Sequence, residues 1–504
     1  MPLNPRLILI LMIIFGTALR LWNALYAPSL WLDEVFSAKL AESPLLDLLL
    51  AVPRFDTHPP LYYLQLHFWS RLGWGDSWLI LNSVLIDMLV IASLIRVVGR
   101  IHGAETGLWV GAVYAVLPVA VFFAENVRMY PMLFLLVVWL WYMLERRVID
   151  GHATRSARVG TILLGLAATL THGLGFFVVF FVYLQALARV YLRHRQVGLR
   201  PPLLVVLDYL PVALAALYSV GISTFRQTEG VQAFDLEIVG IHLTLSLFGM
   251  EAPIPVVAGY LGVLIVLLPP MLARQSRPIM IWLVLVPFAT LLMVSLTVKA
   301  VFMYRTLGLF SPFMAIALGL FFANVWQERR LFRQAYAGAV LLVLIVASTN
   351  SSLTFVKAGY RQIASIWAST SPPDAVLFVG GSVNLWGITR YLDDVPTFSA
   401  LDIQPPVRDG LLRVKQRLEG SYFDRAGLFG KSDHLLVGTR EIWPYDAPQR
   451  RATLERYWVL SSTDASCLRP QDIKLRSFTA TGQSLAECQN PDVAKGATSA
   501  TVQG

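Results

Sequence analysis

Trp31-Leu32-Asp33-Glu34 stands just past the first long apolar stretch of the chain, and Asp56-Thr57-His58-Pro59-Pro60-Leu61-Tyr62-Tyr63 follows in the same loop. Carboxylates at a membrane boundary cost free energy, so their presence there needs a reason. The 504 residues around them are 56% hydrophobic and only 14% charged. Soluble domains carry about 25% charged residues. Composition alone makes this a membrane protein.

A helix needs about 20 apolar residues to cross the hydrocarbon core. Working outward from the loop, eleven stretches qualify or nearly so, at 6–25, 78–98, 105–123, 129–145, 158–170, 173–192, 203–223, 254–273, 279–297, 305–324 and 334–350. The fifth is short, with a break expected at Thr171-His172-Gly173. The first apolar run is longer than a signal peptide's core, contains Arg20 and precedes no small-residue cleavage site, so it reads as an uncleaved span.

Lys and Arg mark the cytoplasmic side of short loops. Arg96 and Arg100, then Arg146, Arg147, Arg155 and Arg158, then Arg189, Arg193, Arg195 and Arg200, then Arg274 and Arg277, and finally Arg329, Arg330 and Arg333 fall in every second loop. The alternation predicts a cytoplasmic N-terminus and an external C-terminal part. It also accounts for the formal charge of +9. From residue 351 onward there are 17 Lys/Arg against 15 Asp/Glu, leaving 24 against 17 for the membrane part. A nucleic-acid partner would want a basic patch on a soluble domain, and that part is nearly neutral.

The unusual polar residues then all fall on the external side. A transporter would place them near the bilayer midplane, whereas a one-sided cluster suits an enzyme working on a lipid headgroup. Asp87 and Asp208 lie inside predicted spans. Asp208 is near the cytoplasmic end, within reach of water, which leaves Asp87 as the one relay candidate. Two interfacial helices are expected in the first external loop, Glu34 to Ala51 and Pro60 to Leu72, with proline at a start where its missing N–H costs nothing. A third is expected from Leu236 to Met250.

From residue 351 apolar runs alternate with polar helical segments, as in Ala375-Val376-Leu377-Phe378-Val379 and Tyr457-Trp458-Val459-Leu460. This predicts a small α/β domain over 351–490, after a membrane domain over 1–350 and before a disordered tail over 491–504. Cys467 and Cys488 fall in that domain, either as a disulfide or as two free thiols. No P-loop, no GxGxxG after a strand and no regularly spaced metal-ligand cluster occurs, so nucleotide-sugar use is disfavoured.

Trp31-Leu32-Asp33-Glu34, His58-Pro59-Pro60-Leu61-Tyr62-Tyr63, Arg128-Met129-Tyr130 and the basic–aromatic string Lys299 to Arg305 together resemble the GT-C glycosyltransferases. These are membrane enzymes that use polyprenyl-phosphate sugars, and the resemblance is closest to the branch of protein O-mannosyltransferases and lipid A aminoarabinose transferases. It implies a mainly α, GT-C-like bundle of about eleven transmembrane helices, with the interfacial helices and the α/β domain on the external side of the cytoplasmic membrane. It further implies an inverting transfer from a polyprenyl-phosphate sugar to a glycan, lipid or protein acceptor. The alternatives are a transporter or flippase for a lipid-linked or small solute, and an inactive relative acting as an assembly factor.

The resemblance assigns catalysis to Asp33, with Glu34 beside it. The bare sequence allows a second role for Asp33, as N-cap of the following helix. Arg128, Lys299 and Arg305 become donor-phosphate ligands, where snorkelling to bulk headgroups is the alternative. Where relatives carry Arg-Tyr, this chain reads Arg305-Thr306, which puts the aromatic contact in question. Asp56, His58, Glu125, Tyr130 and His172 complete the substrate-site candidates. The prolines after His58 suffice to make a rigid turn, and a histidine in Thr171-His172-Gly173 can simply satisfy local backbone groups. No cofactor is required. Some GT-C enzymes bind a divalent metal beside the external acids, and Asp33, Glu34, Asp56 and His58 are the residues that would do so here; no metal is expected.

Overall fold

The computed structural model describes residues 4–354 apart from 27–28, 74, 152–153, 195, 197, 225–234, 250–255 and 299, and beyond them 361, 375–379, 390–391, 397–399, 456–462, 473–479 and 484–487. Lys299, Cys467, Cys488, most of 351–490 and the tail 491–504 therefore lie outside the described residues. The chain divides into two compact units, Met1–Tyr26 with Leu48–Phe355, and Ala27–Asp47 with Val356–Gly504.

The helices of the first part are α1 (Pro5–Tyr26), α2 (Leu32–Glu42), α3 (Leu45–Phe55), α4 (Leu61–Ser70), α5 (Asp76–His102), α6 (Ala104–Ala115), α7 (Pro118–Ala124), α8 (Tyr130–Asp150) and α9 (Arg155–Thr169). They continue as α10 (Gly175–His194), α11 (Arg200–Thr224), α12 (Leu236–Phe248), α13 (Val256–Leu272), α14 (Arg277–Met280), α15 (Val286–Thr297), α16 (Tyr304–Leu307), α17 (Ser311–Gln327) and α18 (Leu331–Thr354). A π-helical turn, Ile281–Leu285, joins α14 to α15.

Each of the eleven apolar stretches is mainly helical over its described residues, but the full spans among them are fewer than expected. Among the described residues seven helices are long and apolar enough to cross a membrane, or eight if the bent pair α6–α7 is one span. The shortfall has physical causes. α9 has 15 residues and α13 has 17, short of the roughly 20 a bilayer asks for. α8 ends in Glu145, Arg146, Arg147 and Asp150. The chain is an integral membrane protein, with α17 at its buried centre and α11 presenting Leu210, Leu214 and Leu217 outward, as lipid contact requires.

The expected helix from Glu34 to Ala51 is two helices. Pro44 has no N–H to continue α2 and pushes the residue before it out of the helical region; Ser43 is extended at φ −69° and ψ 157°. α4 starts at Leu61, with Pro60 before it. It is clamped to α5 by two reciprocal pairs. Trp69 and Trp78 stack at 4.5 Å and each ring N–H donates to the other's backbone carbonyl. Gln65 and Asn82 exchange amide hydrogen bonds of 2.8 and 3.1 Å.

The predicted span at 105–123 is broken. α6 and α7 meet at 68°, because Pro118 opens α7 and cannot donate to the turn before it. Carbonyls left open in an apolar interior must find donors. Arg20 Nη1 donates to Ala115 O at 2.6 Å and to Gly16 O at 2.8 Å, and Ser348 Oγ donates to Val116 O at 2.8 Å. Gly16 is required here, since a Cβ at this position would stand 2.1 Å from Ala115 O. Asp87 balances the guanidinium, accepting from Arg20 Nε at 2.7 Å and from Tyr114 Oη at 2.6 Å. Asp87, the expected relay candidate, is thus one end of a closed buried network.

Asp208 does not reach water either. It is fully buried and paired with Arg147 at 2.5 Å and Arg158 at 2.8 Å. Two arginines of the basic loops are therefore also packing partners.

In the second unit, α2 is joined to C-terminal residues. Leu30 N–H donates to Tyr391 Oη at 2.8 Å, and Arg390 forks onto the Glu42 carboxylate at 3.1 Å. Its described strands are β1 (Ala375–Val379), β2 (Thr397–Ser399), β3 (Arg456–Ser462), β4 (Ile473–Thr479) and β5 (Ser484–Glu487). They form one mixed sheet in the order β2-β1-β3-β4-β5, with β1 parallel to both neighbours and β3, β4 and β5 antiparallel.

Removing one partner of a buried ion pair leaves an uncompensated charge and costs about 3–5 kcal/mol, while replacing both by apolar groups of similar size can be nearly neutral. Asp87→Leu should therefore lower stability by that amount. Arg20→Met with Asp87→Leu should recover part of it, the remainder being the orphaned carbonyls at 115. Unfolding equilibria of the variants in bilayers, measured beside the wild type, check the ordering.

Candidate active site

The α9–α10 turn and the start of α4 form the base of the site. Leu61 N–H, the first free donor of α4, bonds to Leu170 O at 3.1 Å, which seats α4 on the end of α9. Gly173 N–H donates to His58 Nδ1 at 3.0 Å, and Leu174 N–H to His172 Nδ1 at 2.9 Å. The two imidazoles face each other with centroids 4.6 Å apart. This approach needs a residue without a side chain, because a Cβ at Gly173 would stand 2.7 Å from Thr57 O.

Asp56 precedes them. Its carboxylate accepts the Tyr63 hydroxyl and, at 2.6 Å, the Thr57 N–H. Burial pushes the carboxyl above its ordinary value. The charge of Arg128 and the bonds from Tyr63, Thr57 and His58 pull it part of the way back. Burial, then Asp56, pushes the Tyr63 phenol well above its ordinary value. His172 is held well below the usual imidazole range by burial, by His58 and by Arg128.

Arg128 therefore acts on Asp56, Tyr63 and His172 together. It is delivered by the turn after α7, where its own N–H reaches Asn126 O at 2.7 Å and the Asn126 amide donates to Phe122 O at 2.5 Å. Glu125, in the same turn, accepts Ser352 Oγ at 2.8 Å and so ties the turn to α18. Tyr130 stacks on Phe123 at 4.0 Å and lies 5.4 Å from His172.

A file of rings extends the site. Phe122 lies 5.6 Å from Phe123 and 6.1 Å from Tyr304, whose hydroxyl accepts from Arg305 Nε at 2.9 Å. The residue before the arginine, Tyr304, thus stands against it. Tyr304, Tyr63 and Gly173 are functional candidates missing from the sequence reading. Each carried a signal that was not taken up: Tyr63 closes the His58 string, Tyr304 stands inside the basic–aromatic string, and Gly173 lies beside a histidine in a turn.

Asp56, His58, Arg128, Tyr130 and His172 come together in the first unit, with Glu125 and Arg305 joined to them through the α7 turn and the ring file. Asp33 and Glu34 belong to the second unit, on α2. The N-cap of α2 is Trp31, not Asp33, and the Glu34 carboxylate accepts the Trp31 N–H at 2.9 Å. Glu34 thus closes the first turn of its helix, and Asp33 stands second in that helix. Among the described residues no group of three or more His, Cys, Asp or Glu side chains is placed to hold a metal ion.

No protein-family model matches the chain, and no curated protein matches it in sequence. Solved structures match in fold. ArnT from Cupriavidus metallidurans bound to undecaprenyl phosphate superposes with a TM-score of 0.53 at 13% identity, over 92% of this chain and 94% of that one. Arabinofuranosyltransferase AftD from Mycobacteria gives 0.50 at 17%, over 93% of this chain and 36% of that one. Archaeal oligosaccharyltransferase AglB from Archaeoglobus fulgidus, in complex with an inhibitory peptide and a dolichol-phosphate, gives 0.46 at 12%, over 75% of this chain. The chain spans 62% of the length of AglB. The fold is that of the GT-C membrane glycosyltransferases, as the motifs of the first loop lead one to expect.

Gly173→Ala should separate α4 from the α9–α10 turn, because the obstructing atom is a backbone oxygen that cannot swing aside. We expect a destabilisation of about 1–3 kcal/mol, as for overpacking elsewhere, and loss of any activity that needs His58 and His172 together. Thermal unfolding of the purified variant measures the first, and a turnover assay the second.

Proposed function

We propose that the chain is an inverting glycosyltransferase moving a sugar from a polyprenyl-phosphate donor to a glycan, lipid or protein acceptor at the external face of the cytoplasmic membrane. One observation carries the reading: Arg128, two imidazoles, Tyr130 and Asp56 converge at one end of a GT-C fold. The undecaprenyl phosphate held by ArnT supports the donor class. In this reading the N-terminus is cytoplasmic, and residues 351–490 form an external domain that helps select the acceptor.

In an inverting transfer a base takes the acceptor's hydroxyl proton, and the acceptor oxygen bonds to the anomeric carbon. The bond from that carbon to the phosphate oxygen breaks, and its electron pair leaves with the lipid phosphate. We assign the base to Asp33. Glu34 is occupied with its helix, and Asp56 holds Tyr63 and Thr57. Arg128 and Arg305, with Lys299, neutralise the departing phosphate, and cations aimed at developing charge are the larger part of such catalysis. The transport alternative leaned on Asp87, which is engaged with Arg20 and Tyr114.

Asp33→Asn keeps the shape and removes the basicity, so transfer should fall by about 10²–10⁴-fold with donor binding unchanged. Arg128→Ala removes a charge-assisted contact and should weaken donor binding about ten- to a hundredfold. Turnover of a polyprenyl-phosphate sugar and donor titration on both variants separate the two roles. Wild-type turnover in Asp33→Asn would take the base away from this residue.

A further inference from the structure

Two consecutive N–H groups of the α9–α10 turn are donated to two different imidazoles, Gly173 to His58 and Leu174 to His172. A ring nitrogen that accepts carries no proton, so each ring has its single hydrogen on Nε2 and is neutral. Protonating Nδ1 of either ring would break its bond to the turn and add a positive charge close to Arg128. His172 is only 4% exposed. Tyr130 and His58 flank it as rings, and among the described residues no group accepts a hydrogen bond from its Nε2–H. That N–H is not one of the fully enclosed donors without a partner, so it opens onto accessible space where a ligand can meet it, and it lies within the field of a guanidinium. A neutral donor beside a fixed cation suits an anionic oxygen.

We propose that His172 is a positioning residue that donates its Nε2–H to a phosphate oxygen of the lipid carrier. The inference rests on the glycosyltransferase reading, and gives His172 a single chemistry. With Nδ1 committed to Leu174, the ring has no lone pair with which to act as a base. It supplies direction to the phosphate without adding charge, and leaves proton abstraction to a carboxylate.

Two amide substitutions separate the ring's two nitrogens. In His172→Asn the side-chain oxygen can take the place of Nδ1 and accept from Leu174, while nothing reaches the position of Nε2. In His172→Gln the amide nitrogen can reach that position, while the acceptor for Leu174 is lost. Full-length protein in nanodiscs would be titrated with undecaprenyl phosphate, with thermal unfolding followed in parallel. His172→Asn should keep its unfolding temperature and bind about ten- to a hundredfold more weakly. His172→Gln should regain part of the affinity at a lower unfolding temperature. Unchanged affinity in His172→Asn overturns the proposal, as does a loss that merely follows the folded fraction. Phosphatidylglycerol is titrated as the control for bulk headgroups, and a response of His172 to it alone also overturns the proposal. If the wild type itself does not bind undecaprenyl phosphate, it is the functional reading that fails. Wild-type binding with an indifferent His172→Asn sinks this inference alone.

Discussion

A helix that breaks inside an apolar interior leaves carbonyl groups that no water can reach. Here the break lies between Ala115 and Pro118, and Arg20 is the residue that repairs it. The rest follows in order. A buried guanidinium needs a counter-charge, which Asp87 supplies, and the second carboxylate oxygen needs a donor, which is Tyr114 on the helix that ends at the break. The 68° turn then sends α7 off the axis of α6. α7 sets the turn carrying Glu125 and Arg128, and its Phe123 supplies the face on which Tyr130 stacks. A straight third span would deliver none of these side chains to His172.

The position of nearly every helix was legible in the sequence, because a run of apolar residues between charged loops has only one stable form in lipid. The residues of the first loop, the α7 turn and the α9–α10 turn were legible as candidates, because they are polar groups at the ends of otherwise apolar spans, each with a structural role as its alternative. The break was not. Val116-Leu117-Pro118 is as apolar as its surroundings, and hydropathy cannot see a missing N–H. Asp87 was misread for the same reason, since its partners are 67 and 27 residues away and nothing local announces them. Asp208 looked able to reach water because it lies near a span end. It pairs instead with two arginines that the sequence assigned to topology alone.

Three of the acids of the first loop show how much local geometry narrows a choice that residue type leaves open. Glu34, Asp33 and Asp56 are equivalent as residues. The fold makes Glu34 the closing half of a helix start, and makes Asp56 the acceptor that holds Tyr63 and the strap before His58. Asp33 is not the cap of that helix, since Trp31 takes the cap position and Asp33 stands second in the helix.

A site for a lipid-linked sugar has to grip a phosphate in two states. In the donor it is a diester with one negative charge, and after transfer it is a monoester carrying about −1.5 to −2. Cations bind the second state more strongly, which is the differential binding that lowers a barrier and the role proposed for Arg128. The same preference also slows release of the product. Neutral donors distinguish the two states far less, so they can orient the phosphate without adding to its retention. Imidazoles whose Nδ1 accepts from N–H groups of one turn suit that task, and burial holds His172 well below the usual imidazole range. A third or fourth cation at their positions would raise affinity for the leaving phosphate at the expense of turnover. On this argument the value of the histidine pair lies in the charge it withholds.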